Sequence, residues 1–157
     1  MIIRKGRRED LESALNLVKE LALYENALHE VKNSVEEMEK DGFGSSPVFD
    51  FFVAENDDGI IGMSLYYYRY STWKGKILYI EDLIVSEKHR RSGAGSLLME
   101  ASIEEARIRN CNGVQWQVLD WNEPAIKFYE NYKPVKDPEW INFRIEKDQL
   151  DNHRSSS

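Results

Sequence analysis

The sequence predicts a single domain of the α/β or α+β class whose first half is a mostly antiparallel sheet. Three consecutive segments rich in β-branched and aromatic residues, 48–55, 60–70 and 76–86, are separated only by short turn sequences, which is typical of neighbouring strands. Amphipathic helical patterns come before and after them. The 157-residue chain contains no linker-like stretch, so we expect one domain over residues 1–150 and a disordered tail at 151–157.

The elements that precede these strands are a short strand and two helices. Residues 1–4 are predicted to form the first strand. Apolar residues then recur at helical spacing over residues 10–22, which predicts an amphipathic helix. Ser34 and Glu37 are spaced like a capping box, and this spacing predicts a second helix over residues 34–40.

The second half of the chain alternates helices and strands. Apolar residues fall on one helical face over residues 93–109, and residues 114–120 are predicted to form another strand. Asn122 can cap a helix whose first turn contains Pro124, because proline is tolerated there. Residues 140–146 are predicted to form the last strand.

Composition argues against several classes of function. The formal net charge is −7, and a negative surface repels a phosphate backbone, so nucleic acid is not an expected partner. The longest apolar runs, 77–80 and 83–85, fall far short of the roughly 18 residues that cross a bilayer, and the N-terminus lacks a signal-peptide core, so no membrane partner is expected. The single cysteine, Cys111, fits a cytoplasmic setting, and the 3 histidines share no metal-ligand spacing, so no metal is expected.

The stretch RRSGAGS at residues 90–96 lies between a predicted strand and a predicted helix. The start of a helix attracts anions because its first N–H groups lack partners and its dipole is positive there. Gly93 and Gly95 let a ligand approach the backbone, and Arg90 and Arg91 can bind phosphate. The endings of the P-loop and Rossmann motifs are missing. By itself, the stretch fits a solvated surface turn equally well.

Two carboxylates interrupt the apolar strand at 76–86. Alternation places Glu81 on one face with Tyr79 and Leu83, and Asp82 on the opposite face. Both faces are otherwise apolar, so the strand should be central, and two carboxylates there are costly to bury. They are therefore either functional groups or partners of a buried ion pair with an arginine. A β-bulge would change the face to which each carboxylate points.

These motifs carry a resemblance to a known family. The R-x-x-G-x-G pattern that begins at Arg90 resembles the acetyl-CoA pyrophosphate loop of the GNAT superfamily of N-acetyltransferases. Over roughly residues 2–147 the chain resembles the spermidine/spermine N1-acetyltransferases, or diamine acetyltransferases. The stretches that carry this resemblance are ELALYE (20–25), DGFG (41–44), YSTWKGK (70–76), YIED (79–82) and LDWNEPAIKFYE (119–130). Ser71 and Thr72 stand where polyamine-specific members carry an acidic residue, and YSTWKG and VLDWN are similar to the thialysine-acetylating branch.

The resemblance implies the GNAT fold, a central mixed, mostly antiparallel sheet of roughly six to seven strands flanked by about four helices. It implies acetyl-CoA as the cosubstrate, with the strand at 76–86 splayed from its neighbour to admit the pantetheine arm. It also implies a homodimer whose sites take substrate contacts from both chains. The residues implied to hold acetyl-CoA are Leu83, Ile84, Val85, Arg90, Arg91, Ser92, Gly93, Ala94, Gly95, Ser96, Asn122, Ala125 and Tyr129.

The resemblance further implies the catalytic roles and the substrate class. A primary amine has a reference pKa near 10.4, so it must lose a proton before it can attack a thioester. Glu81 would take this proton through water as the general base, and Tyr129 would protonate the departing thiolate as the general acid. The substrate is a small cationic amine, spermidine, spermine or thialysine. The residues implied to bind it are Tyr24, Glu25, Trp73, Glu81 and Asp82.

Two other functions stay open at the level of sequence. A non-catalytic acyl-CoA-binding regulatory module would keep the glycine loop without turnover, and a protein-lysine acetyltransferase would need an open groove. Without the family context, Tyr129 is better explained as a packed aromatic residue. Packing on a strand face likewise explains the aromatic run at 66–70 better than a place in the site does.

Overall fold

The computed structural model describes residues 1–154, which form two compact units, residues 1–117 and the residues from 118 onward. The first unit contains the strands of the sheet and the three longest α-helices, and the second contains two shorter helices. The tail predicted at 151–157 starts at Asp151, which is still the final residue of a helix. Residues 155–157 lie outside the described residues.

The sheet belongs to the first unit, and its strands follow one another in chain order. The strands are β1 (Ile2–Lys5), β2 (Asp50–Asn56), β3 (Gly59–Ser71), β4 (Gly75–Val85) and β5 (Val114–Trp116). Neighbours from β1 to β4 pair antiparallel, and β5 pairs parallel to β4. The predicted mixed, mostly antiparallel sheet is therefore confirmed.

The sheet of the described chain has 5 strands, so the predicted number of strands was wrong. Residues 140–146 do not form a strand, although their side chains alternate as a strand's do. A strand needs a neighbour for its backbone hydrogen bonds, and the described part of their own unit contains no other strand. The side chain of Phe143 is 91% exposed. The strand predicted at 114–120 exists but ends at Trp116.

The helices begin largely where the sequence predicts. They are α1 (Leu11–Tyr24), α2 (Val35–Phe43), α3 (Ala94–Ile108), α4 (Glu123–Glu130) and α5 (Lys147–Asp151). Ser34 caps α2 by accepting a hydrogen bond from the Glu37 N–H at 3.1 Å, which satisfies a donor that the helix leaves unpaired. No helix within residues 1–154 is long and apolar enough to cross a membrane.

The core lies on both faces of the sheet. On one face, α1 and α2 pack against β2 and β3, and Leu11, Phe51 and Met63 are almost fully buried there. On the other face, α3 packs through Ala94 and Leu98. Burial on two sides explains why the central strands are apolar on both faces. The strand β4, which carries both carboxylates of interest, is thereby held between two helical layers.

Candidate active site

The glycine loop leads directly into α3. Gly93 is the N-cap residue of this helix and has a φ of +89°, in the left-handed region that glycine adopts without strain. A Cβ atom at Gly93 would meet no heavy atom within 4 Å. The left-handed backbone rather than a lack of space therefore requires glycine here, and the surface above the loop is open to a ligand. The Ser92 hydroxyl accepts a hydrogen bond from the Ala94 N–H at 3.3 Å.

The arginines of the loop have different surroundings. The guanidinium of Arg90 lies over the ring of Tyr24, 5.4 Å from its centre, at a distance that allows a cation–π interaction. Arg91 is exposed and has a φ of +65°. The loop that precedes α3 is thus joined to the last residue of α1. Arg90, a predicted acetyl-CoA contact, and Tyr24, a predicted amine contact, lie side by side.

A bulge in β4 sets the directions of the two carboxylates. Leu65 pairs with Asp82 and Tyr66 pairs with Ile80, so Glu81 is the extra residue with no partner in β3. A bulge of this kind bends the strand and interrupts the alternation of its side chains. Glu81 is exposed and Asp82 is partly buried. Of the two carboxylates, Asp82 rather than Glu81 therefore bears the cost of burial expected in this strand.

The second carboxylate, Asp82, lies in an acidic environment. Burial, followed by the charges of Glu81 and Glu25, raises the pKa of Asp82 to about 6. Burial also raises the pKa of Glu25, which follows the end of α1. No ion pair joins an arginine to Glu81 or Asp82 within residues 1–154, so the buried ion pair that we considered is absent from the described chain. Because the charges of Glu25 and Glu81 both act on Asp82, these three predicted substrate-binding residues lie close together.

Pairing between β4 and β5 ends before the bulge. The two strands pair only from Leu78 to Ile80 on β4, and β5 ends at Trp116. Residues 83–85 of β4 therefore do not pair with β5. The predicted pantetheine contacts Leu83, Ile84 and Val85 thus belong to the part of β4 that follows its pairing with β5, and Leu83, Ile84 and Val85 each pair with a residue of β3.

Trp73 lies at the tip of the hairpin between β3 and β4, where Ser71 pairs with Gly75. Its side chain is 89% exposed. Within β4, six positions separate Gly75, next to this tip, from Glu81, which corresponds to roughly 20 Å of extended strand. Within one chain, Trp73 is therefore not brought together with the acidic residues.

The remaining predicted site residues lie on α4, in the second unit. The Asn122 Oδ1 atom accepts a hydrogen bond from the Ala125 N–H at 3.4 Å, so the predicted N-cap is confirmed. Ala125 and Tyr129 are four residues apart and share one face of the helix. The ring of Tyr129 packs edge-on against Phe128, with ring centres 5.3 Å apart. The cap and the shared helix face group the three predicted residues of this unit.

One residue of the site region was missed by the sequence interpretation. The Tyr67 hydroxyl donates a hydrogen bond to the Glu81 Oε2 atom at 3.1 Å. Packing does explain its neighbour Tyr66, which is fully buried. Strand alternation, which turns Tyr67 away from Tyr66, was the available signal. No group of three His, Cys, Asp or Glu side chains that could hold a metal occurs within residues 1–154.

Comparisons with known proteins show the family to which this chain belongs. Residues 15–132 match the acetyltransferase (GNAT) family. The chain belongs to the GNAT acetyltransferase family. This acetyltransferase is 35% identical to a thialysine N-epsilon-acetyltransferase from Mus musculus, over 92% of this chain and 91% of the relative. It is 34% identical to a protein of the same name from Caenorhabditis elegans, over 86% and 85% of the two chains. A human spermidine/spermine N(1)-acetyltransferase-like protein 1 is 30% identical over 94% of this chain but only 23% of its own length.

Solved structures share the fold of this acetyltransferase. An aminoglycoside acetyltransferase from an uncultured soil metagenomic sample, in complex with trehalose, superposes with a TM-score of 0.75 at 21% identity, covering 92% of this chain and 95% of that one. An integron cassette protein from the mobile metagenome of V. cholerae superposes with a TM-score of 0.76 at 22% identity, covering 96% and 94%. At these identities the likeness concerns the fold alone, and it confirms the predicted GNAT fold.

Proposed function

We propose that this acetyltransferase moves the acetyl group of acetyl-CoA to a primary amine of a small cationic molecule. Thialysine is the first candidate, and spermidine and spermine follow. The observation that carries the proposal is the bulge at Glu81, which places two carboxylates where the pairing of β4 with β5 has just ended. The relatives named for thialysine acetylation support the order of the candidates.

Several features of the first unit support the binding of acetyl-CoA. The start of α3 and the side chains of Arg90 and Arg91 would hold the pyrophosphate, since helix N-termini and guanidinium groups both bind phosphate. The open space above Gly93 allows that group to reach the backbone. The β5-facing edge of residues 83–85 would hold the pantetheine arm. When bound, acetyl-CoA supplies a thioester whose carbonyl carbon accepts the amine.

The acidic residues would recruit and deprotonate the amine. At neutral pH a primary amine carries a proton, and Glu81 would remove it through a water molecule as the general base. Glu25 and Asp82 would attract a second positive group of the substrate. Acidic neighbours also raise the pKa of an amine, which makes its deprotonation harder. Thialysine partly avoids this problem because its thioether withdraws electron density and leaves the amine less basic.

Tyr129 would complete the transfer. The amine nitrogen forms a bond to the acetyl carbonyl carbon, and the carbon–sulfur bond breaks. The departing thiolate then takes the proton of the Tyr129 hydroxyl. A tyrosine is a suitable donor because its reference pKa, about 10, lies near that of a thiol. Asn122 and Ala125, at the start of the same helix, would bind acetyl-CoA.

We also propose that the protein works as a homodimer in the cytoplasm. The exposed Trp73 lies far along the hairpin from Glu81 of its own chain. In a dimer, the hairpin tip of one subunit would contact the amine in the site of the other. The single cysteine supports a reducing compartment.

The test is to follow the release of the CoA thiol with acetyl-CoA and a panel of amines. The panel contains thialysine, spermidine, spermine, putrescine, lysine and a lysine-rich peptide. Release that is fastest with thialysine or a polyamine supports the proposal. Release with the peptide alone would make the protein a protein-lysine acetyltransferase. Binding of acetyl-CoA by calorimetry without release on any amine would instead indicate a non-catalytic binding module.

A further inference from the structure

The hydrogen bond between Tyr67 and Glu81 joins the two central strands at an irregular position. As the bulged residue of β4, Glu81 has no cross-strand partner in β3 that fixes its direction. Tyr67 pairs with Tyr79 in the neighbouring register position. From there its hydroxyl donates to the Glu81 Oε2 atom at 3.1 Å. This hydrogen bond therefore holds a carboxylate that the bulge alone leaves free to turn.

We infer that Tyr67 is a positioning residue for the proposed general base, holding Glu81 Oε2 so that Oε1 faces the water that takes the amine proton. The inference rests on the proposed amine acetylation. Tyr67 touches neither acetyl-CoA nor the amine in this scheme, and it acts through Glu81. A carboxylate oxygen that accepts a fixed hydrogen bond restricts the directions in which the other oxygen can accept a proton.

The surroundings of Tyr67 keep its hydroxyl both in place and protonated. Its ring packs at a tilt against Tyr79, with ring centres 5.4 Å apart, and Arg69 covers the ring of Tyr79 at 5.2 Å. Burial, followed by the charge of Glu81 and the hydrogen bond to it, raises the pKa of Tyr67 to about 12. The hydroxyl is thus a donor throughout the pH range in which an acetyltransferase is assayed.

Positioning and basicity act in opposite directions at this hydrogen bond. A donor to a carboxylate favours its ionised form and makes it a weaker proton acceptor. If basicity decided the rate, removal of the donor would raise kcat. If positioning decides it, removal lowers kcat. The titratable groups that interact with Glu81 are Tyr67 on β3 and Tyr79 and Asp82 on β4. Behind them, Arg69 acts on both tyrosines and Glu25 acts on Asp82.

The experiment compares Tyr67→Phe with Tyr68→Phe. The first variant removes only the hydroxyl and keeps the ring that packs on Tyr79. The second removes a hydroxyl from the next residue of the same strand, whose ring lies near Tyr66 and Lys76 instead. We expect Tyr67→Phe to lower kcat about tenfold and to leave the Kd for acetyl-CoA unchanged. The KM for the amine should change much less than kcat. Tyr68→Phe should match the wild type in each measurement.

A double-mutant cycle separates positioning from a general structural effect. In the Glu81→Gln background there is no base to position, so adding Tyr67→Phe should change kcat by less than about twofold. An equal loss in both backgrounds, or a wild-type kcat for Tyr67→Phe, overturns the inference and leaves the acetylation of amines intact. A wild-type protein that binds acetyl-CoA but acetylates no amine overturns the proposed function, and the role of Tyr67 falls with it.

Discussion

The guanidinium of Arg90 lies 5.4 Å from the centre of the Tyr24 ring, so the loop before α3 is held against the last residue of α1. Arg90 is a proposed contact of acetyl-CoA, and Tyr24 is a proposed contact of the amine. A phosphate bound at the loop would therefore interact with the same arginine that lies over the Tyr24 ring. In the first unit, this contact links the proposed acetyl-CoA site to the proposed amine site.

Replacement of Arg90 should weaken the binding of acetyl-CoA. In Arg90→Gln the charge and the stacking over Tyr24 are both lost, and we expect the Kd for acetyl-CoA to rise about tenfold, as the loss of one charge-assisted hydrogen bond implies. Calorimetry measures this Kd directly. The control is Arg107→Gln, which removes an exposed arginine at the far end of α3 that pairs with Glu104. An equal loss in both variants would indicate a general effect of charge and would contradict the specific role of Arg90.

Gly93 offers a test that separates backbone conformation from ligand binding. Gly93 and Gly59 both have a positive φ, and a Cβ atom at either would meet no heavy atom within 4 Å. Alanine at either position should lower the free energy of unfolding by about 1 kcal/mol, because an L-residue is strained in this region. Urea denaturation measures that loss.

Only Gly93→Ala should also weaken acetyl-CoA binding, since Gly59 is the first residue of β3, next to the turn from β2. We expect its Kd for acetyl-CoA to rise while that of Gly59→Ala stays at the wild-type value. If both variants bind acetyl-CoA equally well, the loop before α3 is not the pyrophosphate site.

The sequence predicted the elements that depend on local patterns. The helix caps at Ser34 and Asn122 were predicted because a cap requires one side chain at a fixed distance from one N–H group. The bulge at Glu81 was not, since alternation carries no mark of one extra residue. The strand expected at 140–146 failed because side-chain alternation does not specify a pairing partner. The hydrogen bond from Tyr67 depends on the bulge and could not be predicted without it.

The raised pKa of Asp82 predicts a pH-dependent stability. Its pKa rises from 3.8 to about 6 on folding, so the native state binds more protons than the unfolded state between these values. The contribution of Asp82 to stability is therefore largest below pH 4 and is lost as the pH rises to about 6. At pH 7.5, Asp82→Asn should be more stable than the wild type by about 2 kcal/mol, and this difference should vanish at pH 4.

Urea denaturation at several pH values checks this expectation. The control is Asp57→Asn, which neutralises an exposed carboxylate in the turn between β2 and β3 and should give no such crossover. A stability difference for Asp82→Asn that does not change with pH would contradict the proposed environment of Asp82. Because Asp82 is also a proposed amine contact, the stabilised variant should have a higher KM for the amine.

The last prediction concerns the proposed acid, Tyr129. Tyr129→Phe keeps the ring that packs on Phe128 and removes only the proton donor. We expect kcat to fall about 100-fold, within the usual contribution of a general acid. The Kd for acetyl-CoA should change by less than about threefold.

Tyr132→Phe is the matched control, because its ring packs on the same Phe128 at 5.8 Å and it has no role in the proposed reaction. Steady-state kinetics with thialysine and calorimetry with acetyl-CoA provide the two measurements. Equal losses of turnover and of acetyl-CoA affinity in Tyr129→Phe would show that the hydroxyl serves binding, and another group would then have to protonate the thiolate.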